Sequence, residues 1–248
     1  MRTRGRRSPR GLLPAALALA GLALGHSVRV RGFSHTLLFS ALGLGTGAAG
    51  EYLAVNVART VRHHGRPQLL GVPVAAVLGW YTITYAAFAI VESLVCRATA
   101  PVGWPWSVPI GSAALATSLD LLLDCYGLDR GLWEWRGGGP YASEVVGPNG
   151  RHGIPITNFV AWFGITGGVS LAYLVGTGQL NAPRTSMRPA GAAPSGRAAA
   201  LLLLPYYALA ADWALACGRR RYLLYSVLVP ALLACGVASP VRLPGKAG

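Results

Sequence analysis

Between Gln68 and Val95 the chain carries one charged side chain, Glu92, and apolar runs of this kind recur from end to end. A hydrocarbon core takes about 20 apolar residues wound as a helix. On that ruler the runs near 11–28, 35–58, 68–95, 107–126, 154–177, 198–217 and 221–238 each suffice to span. The pattern predicts an all-α, polytopic transmembrane bundle of about seven spans, or six if the first is a cleaved signal. The basic start MRTRGRRSPR followed by LLPAALALAGLALG fits either a retained helix or a signal peptide. Composition agrees with a membrane chain: 53% of residues are hydrophobic and 12% charged. The 33 glycines and 17 prolines suit helices that pack closely or break.

If all seven runs span, the connections alternate sides and the basic residues set the orientation. Arg2, Arg4, Arg6, Arg7, Arg10, Arg59, Arg62, Arg66, Arg130, Arg136, Arg151 and Arg219 to Arg221 fall on one side. Arg29, Arg31, Arg97, Arg184, Arg188, Arg197, Arg242 and Lys246 fall on the other. The larger set faces the cytoplasm by the positive-inside rule, which places the N-terminus there in a multi-pass protein of the inner (cytoplasmic) membrane. This also accounts for the net charge of +14 without nucleic acid, since no basic face carries interleaved aromatics. Along the chain the reading is a basic N-terminus at 1–10, a membrane domain at 11–180, a Pro, Ala, Ser and Gly rich linker at 181–198, and a helix pair at 199–240.

Function is best sought among the acids. The chain has eight, and Glu51, Glu92, Asp120, Asp124 and Asp212 lie inside apolar runs. A charge at the bilayer centre costs about 3 kcal/mol on insertion scales, so such residues face the protein interior, a partner or a water-filled cavity. Asp120 and Asp124 are spaced i, i+4, which stacks them on one helix face with Thr117 a turn away. Because helix direction alternates, Glu51, the aspartate pair, Asp212 and Asn158 fall in roughly one layer near the cytoplasmic ends of their spans. Glu92 lies near the outer end of its span, below the aromatic stripe Tyr81, Tyr85 and Phe88. It either lines the same cavity from the far end or forms a separate structural group.

The bland readings stand beside these. Gly43 and Gly47 form G-x-x-x-G, which reads as close helix packing. Asp212 beside Trp213 reads as an interfacial group, and Trp133 and Trp135 as interfacial anchors before they read as site residues. His152 is alone, and His63 and His64 sit in a basic loop without ligands at useful spacing, so no metal site is expected. Cys96, Cys125, Cys217 and Cys235 form no C-x-x-C pair and read as packing residues.

The order of motifs carries a resemblance. Glu51 lies in a Gly-rich helix, then come GVPVAAVLGWYTITYAAFAI from Gly71, ALATSLDLLLDCYGLDRGLWEW and HGIPITNFVAWF. Over roughly residues 45 to 177 the chain resembles the bacterial and archaeal carotenoid biosynthesis family of integral membrane hydratases. It departs from the family pattern at Cys125, where a proline is usual, in YLAVNVARTVRHHGRPQ after the glutamate, and in an extended loop between Gly139 and Gly153. The resemblance implies a hydrophobic carotenoid substrate held in the lipid bilayer, no cofactor, and other carotenoid-pathway enzymes as protein partners.

The implied reaction adds water to the terminal double bond of an acyclic carotenoid end. It requires a protonated acid near neutral pH, and burying two like acids on one face is a general way to provide one. Asp120 and Asp124 fit that demand, one as general acid and the other orienting or deprotonating water. Glu51 completes the catalytic set and Asn158 the polar pocket. Trp80, Tyr81, Trp133, Trp135 and Trp162 are candidates for lining the substrate or facing a cation, with Glu92 at its far end. Two other classes fit part of the pattern. A membrane prenyltransferase would hold magnesium and a diphosphate on D-x-x-x-D with Asp129, and a transporter or scaffold would use the buried acids for protons or for helix contacts.

Overall fold

The computed structural model describes residues 12–97, 106–142, 153–181, 196–218 and Leu224. Two helices, α1 (Leu12–Arg31) and α2 (Phe33–Tyr52), fold back on each other through Gly32 alone. Gly32 adopts φ 82, a left-handed conformation that glycine enters without a Cβ penalty. After a short π-helical turn at Leu53–Val57 come strands β1 (Val61–His63), β2 (Gln68–Leu69) and β3 (Val72–Pro73), and then helix α3 (Val74–Arg97). Helix α4 (Ser107–Asp129), strands β4 (Trp133–Trp135), β5 (Tyr141–Ala142) and β6 (Ile154–Pro155), and helix α5 (Ile156–Gly176) follow. The described part of the C-terminal region holds α6 (Gly196–Leu201) and α7 (Leu204–Ala216).

The result is a helical bundle, and five helical segments are long and apolar enough to cross a membrane: α1, α3, α4, α5 and the run 196–216. Helix α2 matches α1 in length, yet its glycines, serines, His35 and Glu51 keep it out of that group. The expected sixth span is broken between α6 and α7, where Pro205 lacks the amide that would continue the helix. The expected seventh span at 221–238, apart from Leu224, lies outside the described residues, as do His152 and most of the 181–198 linker.

Helix α3 forms the centre, packed against α1, α2, α4 and α6, and Ile83 and Tyr85 to Ile90 along it are buried. Small residues let its neighbours approach. A Cβ on Gly43 would sit 3.2 Å from the Tyr81 ring and one on Gly47 3.0 Å from Trp80, so the G-x-x-x-G stripe of α2 is the bed for α3. On the other flank α4 and α5 run antiparallel, with Gly167 against Ala113 at one end and Asn158 against the aspartates at the other.

The polar connections differ from a loop reading. Residues 59–66, 127–142 and 153–155 do more than connect spans, because β1 pairs antiparallel with β4 and β5 with β6, while β2 and β3 form a hairpin. Backbone groups near hydrocarbon must find partners within the protein, and short ladders provide them. These ladders cap the end of the bundle at which Glu51, Trp80 and Asn158 stand.

Candidate active site

The aspartate pair sits in the second half of α4, with Asp120 3% and Asp124 6% exposed. The helical stacking of i and i+4 presents both carboxyl groups to α5. Extended backbone at Pro155 (φ −68, ψ 138), continuing β6, ends the ladder and starts α5, so Asn158 falls within its first turn. From there the Asn158 side-chain amide donates to Asp120 Oδ2 at 3.0 Å and to Asp124 Oδ2 at 2.6 Å. One amide nitrogen thus bridges two acids in an apolar bundle and holds both oxygens at its own position. The depth argument from helix alternation had placed Asn158 in this layer, and the contact is direct.

Glu51, near the end of α2, is the third acid of the site and lies within electrostatic range of both aspartates. Its Oε1 accepts from Trp80 Nε1 at 2.9 Å and its Oε2 meets His63 Nε2 at 2.8 Å. Trp80 in turn stacks face to face on Trp162 of α5, with ring centroids 3.3 Å apart and planes 10° from parallel. Helices α2, α3, α4 and α5 therefore each contribute a side chain to one end of the bundle.

His63 is the site residue that sequence reasoning passed over. It is carried by β1, whose pairing with β4 sets it opposite Trp133 in register, with the two rings edge to face at 6.0 Å. The Trp133 ring fills a slot over α4 that exists because residue 127 is glycine; a Cβ there would fall 2.1 Å from two ring atoms. Only the closeness of a basic, histidine-bearing loop to the end of a glutamate-bearing span pointed toward this contact. Trp135 packs partly against the core, and Glu134 between the tryptophans takes two hydrogen bonds from Arg136, which hold its carboxyl below the usual range.

Other expected members stand elsewhere. Glu92 is at the opposite end, its carboxylate paired with both terminal nitrogens of Arg31 at 3.0 and 2.5 Å. The Arg31 guanidinium lies 4.7 Å from the Phe88 ring centroid and 5.6 Å from that of Tyr173. Arg31 is therefore a buried partner, though its place between two spans had made it a loop charge; the α1–α2 turn is too tight to leave it outside. Tyr81 turns to α2 instead of the aspartates, and Ser40 donates to its hydroxyl at 3.2 Å. Asp212 is exposed and stands 3.7 Å from Arg130, while Asp129 accepts from Trp213 Nε1 at 3.0 Å, tying α4 to α7.

A family model described as "Carotenoid biosynthesis protein" matches residues 12–234 of the chain. No curated protein and no solved structure matches it.

Proposed function

Because the chain belongs to the carotenoid biosynthesis protein family, we propose that its part in that biosynthesis is hydration: addition of water to the terminal double bond of an acyclic carotenoid end. The observation that carries this reading is the pair Asp120 and Asp124, buried side by side and bridged by Asn158. Hydrating a trisubstituted alkene needs one acid that gives a proton and one base that receives a proton from water, within reach of the same carbons. Two carboxyl groups one helical turn apart meet that requirement.

In the proposed sequence one aspartic acid protonates the less substituted alkene carbon. The π electrons form the new C–H bond and leave a tertiary cation. Water attacks the cation, and the second carboxylate takes the proton released as the C–O bond forms. The sum is alkene plus water giving a tertiary alcohol, with no electron acceptor consumed; the pair still holds one proton, now on the second carboxyl, and its transfer back between the adjacent carboxyl groups resets the site. Asn158 keeps the two carboxyl groups adjacent. Glu51, held by His63 and Trp80, adds negative charge near the developing cation, and the stacked Trp80 and Trp162 offer aromatic faces to it. A polyene lying in the bilayer can present its end to this layer, which the distribution of arginines assigns to the cytoplasmic side.

The test is to express the chain in a host that accumulates lycopene or another acyclic carotenoid and to examine the pigments by chromatography and mass spectrometry. The expected product is heavier by one water per reacted end and carries a tertiary hydroxyl. Unchanged pigment across several acyclic substrates, with the protein present in the membrane, would overturn the proposal.

A further inference from the structure

Helix α4 treats its hydroxyls in two ways. Ser112 returns its hydroxyl to the Val108 carbonyl at 2.6 Å and Ser118 to Leu115 at 2.8 Å, the usual fate of a hydroxyl inside a helix. Thr82 in α3, Ser170 in α5 and Thr177 just after α5 do the same. Thr117 does not: its Oγ1 is buried and makes no hydrogen bond among the described residues. A buried hydroxyl without a partner is costly, about 1–3 kcal/mol, so in a native protein such a group calls for an explanation.

Its position supplies one. Thr117, Asp120 and Asp124 follow at i, i+3 and i+7, on one face of α4, with Thr117 on the side away from the β-strand cap. Side chains at i and i+3 have Cβ atoms about 5–6 Å apart, a gap that one water spans with a hydrogen bond at each end. Asn158 already donates to Oδ2 of both carboxyl groups, which leaves Asp120 Oδ1 for another partner. We propose that Thr117 is the water-positioning residue of the hydration reaction, its Oγ1 and the Asp120 carboxyl holding the water that attacks the cation. This rests on the hydratase reading and deepens it: the acid pair makes the cation, and Thr117 decides whether water captures it. A carboxylate alone can take a proton from water but leaves the oxygen lone pair undirected. A second contact from the deeper side turns that lone pair toward the substrate.

Protonation and water capture can be separated in D2O. Membranes containing the protein are supplied with an acyclic carotenoid, and both hydrated product and deuterium in the recovered alkene are measured. Deuterium enters the alkene when the cation loses a proton instead of gaining water. Thr117→Val, close to isosteric, is expected to lower hydrated product at least tenfold while deuterium still enters the recovered alkene. Thr117→Ser, which keeps the hydroxyl, is expected to restore hydration. Asp124→Asn, which removes the proton donor left by this assignment, is expected to lose both signals. Ser112→Ala is the control, because Ser112 is buried on the same helix but its hydroxyl is already spent on the Val108 carbonyl.

Hydration by Thr117→Val at the wild-type rate would overturn the proposal, and so would an equal loss in Ser112→Ala. Loss of both signals in Thr117→Val without rescue by serine would assign the residue a structural role and overturn it too. A wild-type protein that neither hydrates nor exchanges would refute the hydratase reading itself, a result distinct from any of these.

Discussion

Replacing Asp124 by Asn separates the chemistry of the site from its architecture. Asn158 reaches Asp124 Oδ2 at 2.6 Å and Asp120 Oδ2 at 3.0 Å through a single nitrogen. An asparagine at 124 keeps an amide oxygen where the accepting carboxyl oxygen stood, so the bridge survives and the same volume is filled. One such hydrogen bond, weakened but retained, is worth about 1 kcal/mol or less to stability. Catalysis has no such substitute, because an amide neither donates a carboxylic proton nor accepts one from water. General acid–base groups contribute about 10²- to 10⁴-fold, which is about 3–5 kcal/mol of barrier at roughly 1.4 kcal/mol per decade. The assay compares initial rates of hydrated product in membranes matched for protein by immunoblot, for Asp124→Asn and Asp120→Asn, with melting followed in detergent. Loss of at least a hundredfold in rate with little change in melting is expected for both. Rates within a few-fold of wild type in both variants would refute acid–base catalysis by this pair.

Three further outcomes follow from the geometry. Gly127→Ala places a Cβ into the Trp133 ring, so the β1–β4 cap must shift; overpacking of this kind costs about 1–3 kcal/mol, and an unchanged melting temperature with unchanged hydration would contradict the slot. Glu92→Gln leaves the buried Arg31 guanidinium without its anion and is expected to cost about 3–5 kcal/mol, while Arg31→Met with Glu92→Leu recovers most of it; thermal melting in detergent checks both, and wild-type melting of Glu92→Gln would refute the pair's structural role. His63→Ala removes a contact to Glu51 worth about 1.5–3 kcal/mol and is expected to lower turnover about tenfold with protein level intact, whereas His63→Gln retains part of it; equal rates in wild type and His63→Ala would remove His63 from the site.

Much of the site's composition could be read along the chain because helices are local. The i, i+4 spacing puts Asp120 and Asp124 on one face wherever α4 lies, and the same rule stacks Thr117 beside them. Counting residues from span ends placed Glu51 and Asn158 at a common depth, since the rise per residue is constant and span direction alternates. That argument also drew in Asp212, which the structure places at the surface beside Arg130. Depth specifies a layer and not a direction around the helix axis, so it cannot tell an inward carboxylate from an outward one.

The apolar runs, the basic asymmetry and the spacing of acids by themselves determined a membrane-embedded helical bundle with a carboxylate pair near one end, because each depends only on the chain's repeat and on the cost of charge in lipid. Which groups touch those acids was decided by tertiary structure alone. The contact of His63 with Glu51 needs β1 to pair with β4 across more than a whole helix of intervening chain, and the burial of Arg31 against Glu92 needs the one-residue turn at Gly32 to fold α1 back on α2 beside α3. Long-range partners are chosen by how whole elements pack, and no local periodicity records that choice.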